Sequence, residues 1–277
     1  CKKNTKSIIN MKLSIFTSMT NPEERKDPWK EALRSYEDIA DEVITVGQNW
    51  PPGEFEWKYI GEVFQEGHDI CTGDWVMRMD IDYILHEKDM DYIRKFIKDN
   101  DDAPAIAFPR YQFFYPGRYQ MIAYLCVAVN KKRFPNIKLN GGGDMLLPAL
   151  DGNLIDPLKM PKPKAAIWNY ECMFKTKDII SKERARFARA WFRTFDHWTT
   201  YGGGTEEVAF AAWMKLISER LPKHINKIKL SDHPKYIQEK LENLEPEQFG
   251  YDCFGLMDSF KPDYKEFAKS YLRKIKY

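Results

Sequence analysis

The chain has 277 residues, carries a formal charge of +2 and mixes its Lys and Arg with Asp and Glu along its length. That is enough for one large α/β domain or two small ones, with the composition of a globular and not a disordered protein. Near-neutral, interspersed charge leaves no electrostatic footprint for nucleic acid, and the longest apolar run, Met121 to Val129, is half of what a bilayer crossing needs.

Residues 1–10 are polar and read as a disordered leader ahead of a single domain over 11–277. Lys12 to Ser18 alternates like a first strand and runs into a polar loop, Met19 to Asp27, with turn chemistry at Asn21-Pro22. Asp27 and Pro28 are a good N-cap and first-turn pair for a helix whose Trp29, Leu33, Tyr36 and Ile39 recur at helical spacing. Glu42 to Gly47 is a second strand, so the opening strand, helix and strand should be parallel and right-handed. Trp57 to Ile60 suggests a short third strand, and Gly61 to Cys71 a helix leading into the apolar strand that ends on Asp80 and Asp82.

Alternating strands and helices over this stretch predict a Rossmann-type nucleotide-binding half, about 11–100. Such sheets bind ligands beyond the carboxyl ends of their strands. Thr17 and Ser18, Gly47 and Gln48, and Asp80 and Asp82 all fall at such ends and converge on one crevice. Side-chain alternation puts Arg78, Asp80 and Asp82 on one strand face, where two acids suit a hard divalent cation that keeps positions for water and phosphate. Arg78 either neutralises Asp80 or binds a phosphate through its planar fork.

The remaining part, about 101–277, is less regular. It starts after an amphipathic helix, Lys88 to Asp99, with strands over Ala105 to Phe114 and Tyr119 to Asn130 joined by the Tyr115-Pro116-Gly117 turn. Gly141-Gly142-Gly143-Asp144 forms a glycine loop, Ala165 to Phe174 a further strand, and helices cover about Asp178 to Phe195, Thr205 to Glu219 and Pro262 to Ile275. On the first of these helices Lys182, Arg186, Arg189 and Arg193 make a stripe expected to face solvent, while Arg184 falls on the apolar side and needs a carboxylate or an anionic substrate group.

Cys1, Cys71, Cys126, Cys172 and Cys253 are odd in number and show neither Cys-x-x-Cys nor zinc spacing, which fits a reducing compartment. Without a signal-peptide-like apolar region, the chain reads as cytoplasmic. His68, His86, His197, His224 and His233 lack ligand spacing and read as structural or surface residues.

Thr72-Gly73-Asp74-Trp75-Val76-Met77-Arg78-Met79-Asp80-Ile81-Asp82 resembles the G-[DE]-W-[IV]-L-x-L-D-x-D strand of glycosyltransferase family 2 and related GT-A nucleotide-sugar transferases. The resemblance is most specific from Lys12 to Asp82. Gly61-Glu62-Val63-Phe64-Gln65-Glu66-Gly67 looks like the family's G-x-x-x-N-x-G helix with Gln65 for Asn, and Gly47 stands where the family commonly has a base-contacting Asp. It implies a GT-A-like mixed sheet flanked by helices, with a helical carboxyl-terminal extension, and makes about 101–277 the acceptor half. Thr17, Ser18, Gly47, Gln48, Gly61, Gln65, Arg78 and Asp80 would contact the nucleotide sugar, and Asp80 and Asp82 would hold Mn²⁺ or Mg²⁺. The expected activity is an inverting transfer from a nucleotide diphosphate-sugar donor to a glycan or other hydroxyl acceptor, as in glycan biosynthesis.

Such a transfer needs a carboxylate to take the acceptor proton. Asp144 is the first candidate and Glu171 the second, with Asn169 replacing a His found in some family members. Glu206, Glu207 and Asp196 follow, though acids in a helix's first turn are expected from its dipole alone. A sugar-1-phosphate nucleotidyltransferase is the nearest rival, but Ser14 to Asn21 has no glycine for a phosphate loop. A non-catalytic nucleotide- or carbohydrate-binding module of the same fold is the other.

Overall fold

The computed structural model describes residues 11–48, 53–139 and 147–275; Asp144 lies outside them. Strand β1 (Leu13–Ser18) pairs in parallel with β2 (Glu42–Val46) on one side and β3 (Trp75–Arg78) on the other. Helix α1 (Trp29–Ile39) makes the first crossover and α2 (Lys58–Ile70) the second. The strand order therefore reverses at β1, and the crevice beyond the carboxyl ends of β1 and β3 is the topological switch point where open α/β sheets bind ligands.

Beyond β3 the sheet becomes mixed. The long hairpin β5 (Ala105–Tyr115) and β6 (Arg118–Val129) joins it antiparallel through β6, β9 (Ile167–Asn169) adds in parallel to β5, and β4 (Tyr83–Leu85) closes the far edge antiparallel to β9. The short β10 (Asn226–Lys227) pairs with β6, and β7 (Ala149–Leu150) and β8 (Asn153–Leu154) form a separate ribbon. Helices α3 (Met90–Asp99), α4 (Lys177–Phe195), α5 (Glu206–Arg220), α6 (Lys235–Glu242), α7 (Phe249–Asp252) and α8 (Tyr264–Ile275) complete the chain. The result is a mixed α/β sheet flanked by helices, consistent with a GT-A-like fold.

One connection forces the sheet to curl. In the order β3-β6-β5-β9-β4, four strand spacings separate β3 from β4, which is ~19 Å in a flat sheet. The chain covers this between Arg78 and Tyr83, a reach of about 18 Å even if fully extended. It is not extended, because Tyr83 N–H donates to Asp80 C=O at 2.9 Å and closes a turn. The far edge must bend back towards β3, and the acids sit in the bend.

Several expected elements take another form. Trp57 to Ile60 is not a strand: α2 starts at Lys58, and Trp57 instead packs edge-on against Phe187, Trp191 and Phe195 of α4. The strand expected over Ala165 to Phe174 is confined to Ile167–Asn169, since turns at Tyr170 and Cys172 follow at once. Asp27 does not cap α1; it is drawn instead to buried cations. The basic stripe of α4 is only partly solvated. Arg189 and Arg193 both bind Glu54, Arg193 also donates to Phe55 C=O, and Arg186 lies over the Phe55 ring, so that face clamps the loop before α2.

Two packing details carry consequences for stability. Gly67 of α2 faces Phe16 of β1 so closely that a Cβ would lie 2.2 Å from the fully buried ring. Gly67→Ala should therefore destabilise by about 1–3 kcal/mol, as overpacked cores do, seen as a lowered denaturation midpoint.

His224 and His233 are fully buried, and burial pushes both down to about 4. His233 bridges the Tyr170 hydroxyl and Pro116 C=O, each at 2.8 Å, which uses both ring nitrogens of a neutral imidazole. As pH falls below about 6.5 the unfolded chain takes up protons that the folded chain refuses until about 4, so stability is lost across that window. The melting temperature should already fall between pH 6.5 and 5, above the carboxylate range; a flat profile there would contradict the buried-neutral assignment.

Candidate functional site

Arg78 is the last residue of β3, and the turn that follows releases Asp80 and Asp82 from strand alternation. The expected single face for Arg78, Asp80 and Asp82 is thus replaced by a turn. The Tyr36 hydroxyl of α1 bonds the carbonyls of both Asp80 (2.5 Å) and Tyr83 (2.6 Å) and fixes this turn to the helix beneath it.

The Arg78 guanidinium, buried over the Phe64 ring, pairs with Asp80 through Nη2 and Oδ2 at 2.7 Å. Its neutralising role is therefore visible in the geometry. Asp82 has no such partner: its Oδ1 is buried without a hydrogen bond. Burial first, and then the charges of Asp80, Asp27 and Glu171, push its carboxyl well above the ordinary range, against a smaller opposing pull from Lys175. A buried carboxylate oxygen without a donor, beside a second carboxylate, suits a hard cation that takes two protein oxygens and completes its shell with water and phosphate. Among the described residues no group of three or more His, Cys, Asp and Glu forms a closed metal cage.

Glu171 reaches the crevice through strand register. Asn169 of β9 pairs with Tyr83 of β4, Tyr170 N–H donates to Asp82 C=O at 3.0 Å, and Asn169 Oδ1 accepts the Glu171 N–H at 2.9 Å. Burial would raise the Glu171 carboxyl, but Arg184 and Arg110 outweigh it and hold the group below its usual range. Arg184 Nη2 lies 2.7 Å from Glu171 Oε1, supplying the carboxylate that Arg184 on the apolar side of α4 required.

The other candidates divide between crevice and scaffold. Thr17 is buried at the end of β1 with its hydroxyl unpartnered, and Ser18 contacts Thr20 at 3.3 Å. Gly47 has a φ of +75°, and a Cβ there would meet Ser18 Oγ at 2.7 Å, so turn geometry alone accounts for the glycine. Gln48 folds back on Thr45. Gly61 is a buried position of α2. Gln65 is committed to structure: its Oε1 accepts Leu139 N–H at 2.8 Å and its Nε2 donates to Asp69 at 2.7 Å.

Beneath the crevice lies an ion network with no sequence signature. Lys175, almost wholly buried, contacts Asp27 Oδ1 at 2.9 Å and Glu183 Oε2 at 2.8 Å, and Arg25 Nε reaches Glu183 at 2.6 Å. Burial works against the Glu183 charge, but Lys175 and Arg25 prevail and bring its carboxyl to about 2. The network joins the loop after β1 to the start of α4. Sequence reading also missed Arg110, whose Nη1 donates to the Tyr83 hydroxyl at 2.8 Å. Its neighbour Tyr111 points the other way and lines a groove of about 490 Å³ with Tyr119, Tyr124, Lys162 and Asn226.

No protein-family model matches the chain, and no curated protein matches its sequence. Among solved structures, S. aureus TarS 1–349 is similar over 95% of this chain and 92% of that one, with 11% identity and a TM-score of 0.36. A second S. aureus TarS structure matches over 90% of this chain and 55% of that one, with 10% identity and a TM-score of 0.35. Likeness at that level carries no weight for the chemistry of the site. Among the described residues no helix is long and apolar enough to cross a membrane.

Removing the cation from the network beneath the site tests its role. Lys175→Met should destabilise by about 3–5 kcal/mol, the cost of stranding buried carboxylates, read as a lower urea midpoint in equilibrium unfolding.

Proposed function

We propose that the chain is a glycosyltransferase that moves a sugar from a nucleotide diphosphate-sugar donor to a hydroxyl acceptor by direct, inverting displacement at the anomeric carbon. The observation that carries this reading is Asp82 Oδ1, buried without a partner beside Asp80 at the switch point between β1 and β3. An open α/β sheet places a nucleotide there, and two acids at that spot suit the diphosphate's cation better than they suit the diphosphate itself.

Mn²⁺ or Mg²⁺ between Asp80 and Asp82 would offset the charge that builds on the departing diphosphate. Arg78 orients Asp80 through the ion pair at 2.7 Å. Thr17 and Ser18 border the same crevice from β1 and are the expected contacts to the nucleotide. For the acceptor proton, Glu171 is the weaker candidate, because Arg184 and Arg110 hold its carboxyl below the usual range. Asp144 is the first choice for that role, ahead of Glu206, Glu207 and Asp196.

The test is a panel of nucleotide sugars with and without Mn²⁺, followed by melting temperature and by transfer. Wild type should show cation-dependent stabilisation by at least one donor. Asp82→Ala should fold normally, lose that stabilisation and slow transfer by roughly 10²–10³-fold, the scale of removing a main electrostatic stabiliser. Asp144→Asn should keep donor binding and slow transfer by about 10²-fold or more. Undiminished transfer by Asp82→Ala would overturn the assignment of the acid pair.

A further inference from the structure

The floor of the site beyond the acids is a strip of polar side chains on strands that would ordinarily present apolar ones. In the parallel register of β5 and β9, Arg110 lies beside Ile167 and Gln112 beside Asn169, while Asn169 faces Tyr83 across β4. Side chains two apart on a strand share a face, so Arg110, Gln112, Asn169 and Tyr83 form one surface. The intervening Tyr111 and Trp168 are on the opposite surface, their rings 5.9 Å apart.

Two members of this strip each carry one buried polar atom without a partner. Gln112 is only 4% exposed, and its Oε1 accepts no hydrogen bond; Arg110 has a buried Nε–H that donates to none. Native proteins leave few such groups unpaired, and those they do leave call for an explanation such as a ligand. The two orphans also differ in kind. An amide oxygen needs a donor, such as a hydroxyl, whereas a guanidinium N–H needs an acceptor and binds anionic oxygens best.

Charge around the strip points the same way. Arg184 is paired with Glu171 at 2.7 Å, and its guanidinium lies over the Trp213 ring. Arg220, at the end of α5, is disfavoured as a cation by burial, favoured by Glu171 and disfavoured again by Arg184 and Arg110. Arg110, Arg184 and Arg220 all lie in the field of Glu171. Asp80 also favours the Arg110 charge, but it is itself paired with Arg78.

We propose that Arg110 and Gln112, with Arg184 behind them, form a subsite for a hydroxylated anion, an acceptor that carries a phosphate or carboxylate next to a free hydroxyl. Arg110 donates to the anionic oxygen, Gln112 Oε1 accepts a hydrogen bond from the hydroxyl, and Arg184 adds positive field. That the bound molecule is an acceptor rests on the transferase reading; that the strip binds such an anion does not.

The experiment is calorimetric titration of the full chain without metal or nucleotide. The probes are glycerol 1-phosphate, D-glucuronate and inorganic phosphate, with glycerol and D-glucose as neutral counterparts. The expected result is binding of glycerol 1-phosphate, of D-glucuronate, or of both, and none of the neutral pair; which anion binds tells phosphate from carboxylate. Arg110→Gln should weaken the bound probe at least tenfold, and Arg110→Lys, which keeps the charge but not the fork, by less. Gln112→Leu should weaken the hydroxylated anion while leaving inorganic phosphate unchanged. Lys164→Ala, on the tyrosine groove, should change nothing.

Binding of neither anionic probe, equal binding of the neutral pair, or indifference to Arg110→Gln and Arg110→Lys in folded protein overturns the subsite. So does a larger loss for uridine diphosphate with Mn²⁺ than for the probes, which would assign Arg110 to the donor. If the probes bind as expected but no nucleotide sugar is ever transferred, the subsite stands and the transferase reading falls.

Discussion

Everything at the site follows from how little chain lies between β3 and β4. Five Cα steps must carry the backbone from the middle of the sheet to its far edge, and a turn consumes part of that length. The sheet answers by curling, and the curl brings β9, with Glu171 just beyond it, against the acids at the end of β3. Tyr36 makes the arrangement permanent, because one hydroxyl bonded to two carbonyls of the turn ties it to a helix that is itself packed in the core. A crevice assembled from loops alone would lack that rigidity.

Charge inside the molecule is organised as two neighbouring systems. The Arg25, Asp27, Lys175 and Glu183 network pairs two cations with two carboxylates, and it works as a strut between the first loop and α4. The groups above it are less completely paired: Asp82 Oδ1 and Arg110 Nε are both buried without a hydrogen bond, although Arg184 is matched by Glu171. Buried pairs that balance contribute structure, while unpaired buried groups of opposite polarity are what a ligand with separated charge would satisfy.

How much of this was legible in the sequence depends on the range of the signal. The opening strand, helix, strand pattern, the α2 helix and the Asp80 and Asp82 strand end are local patterns, and all appear in the fold. Arg184's need for a partner was also legible, because a charge on an apolar helical stripe is a local contradiction; Glu171 resolves it. Trp57 misled because aromatic residues suit strands, whereas here the ring serves a tertiary contact with α4. Asp27 read as a cap, since nothing nearby in sequence announces Lys175. Gln65 matched a family position, yet its amide holds Leu139 in place. Arg110 carried no motif, and only the register of three strands reveals what it faces.

That register has a consequence for how the protein can vary. Along β5 the guanidinium of Arg110 and the phenol of Tyr111 come from adjacent residues but belong to different worlds, one with the acids and one with the tyrosine groove behind. Exchanging side chains one at a time alters either surface without touching the other. Adding or deleting one residue ahead of Arg110 would instead exchange the two surfaces wholesale. Irregular pairing already interrupts the hairpin between Ile106 and Phe108 and again between Arg110 and Tyr111, where such a slip could be absorbed before it spreads. The length of this strand is therefore a stricter inheritance than the identity of most residues on it.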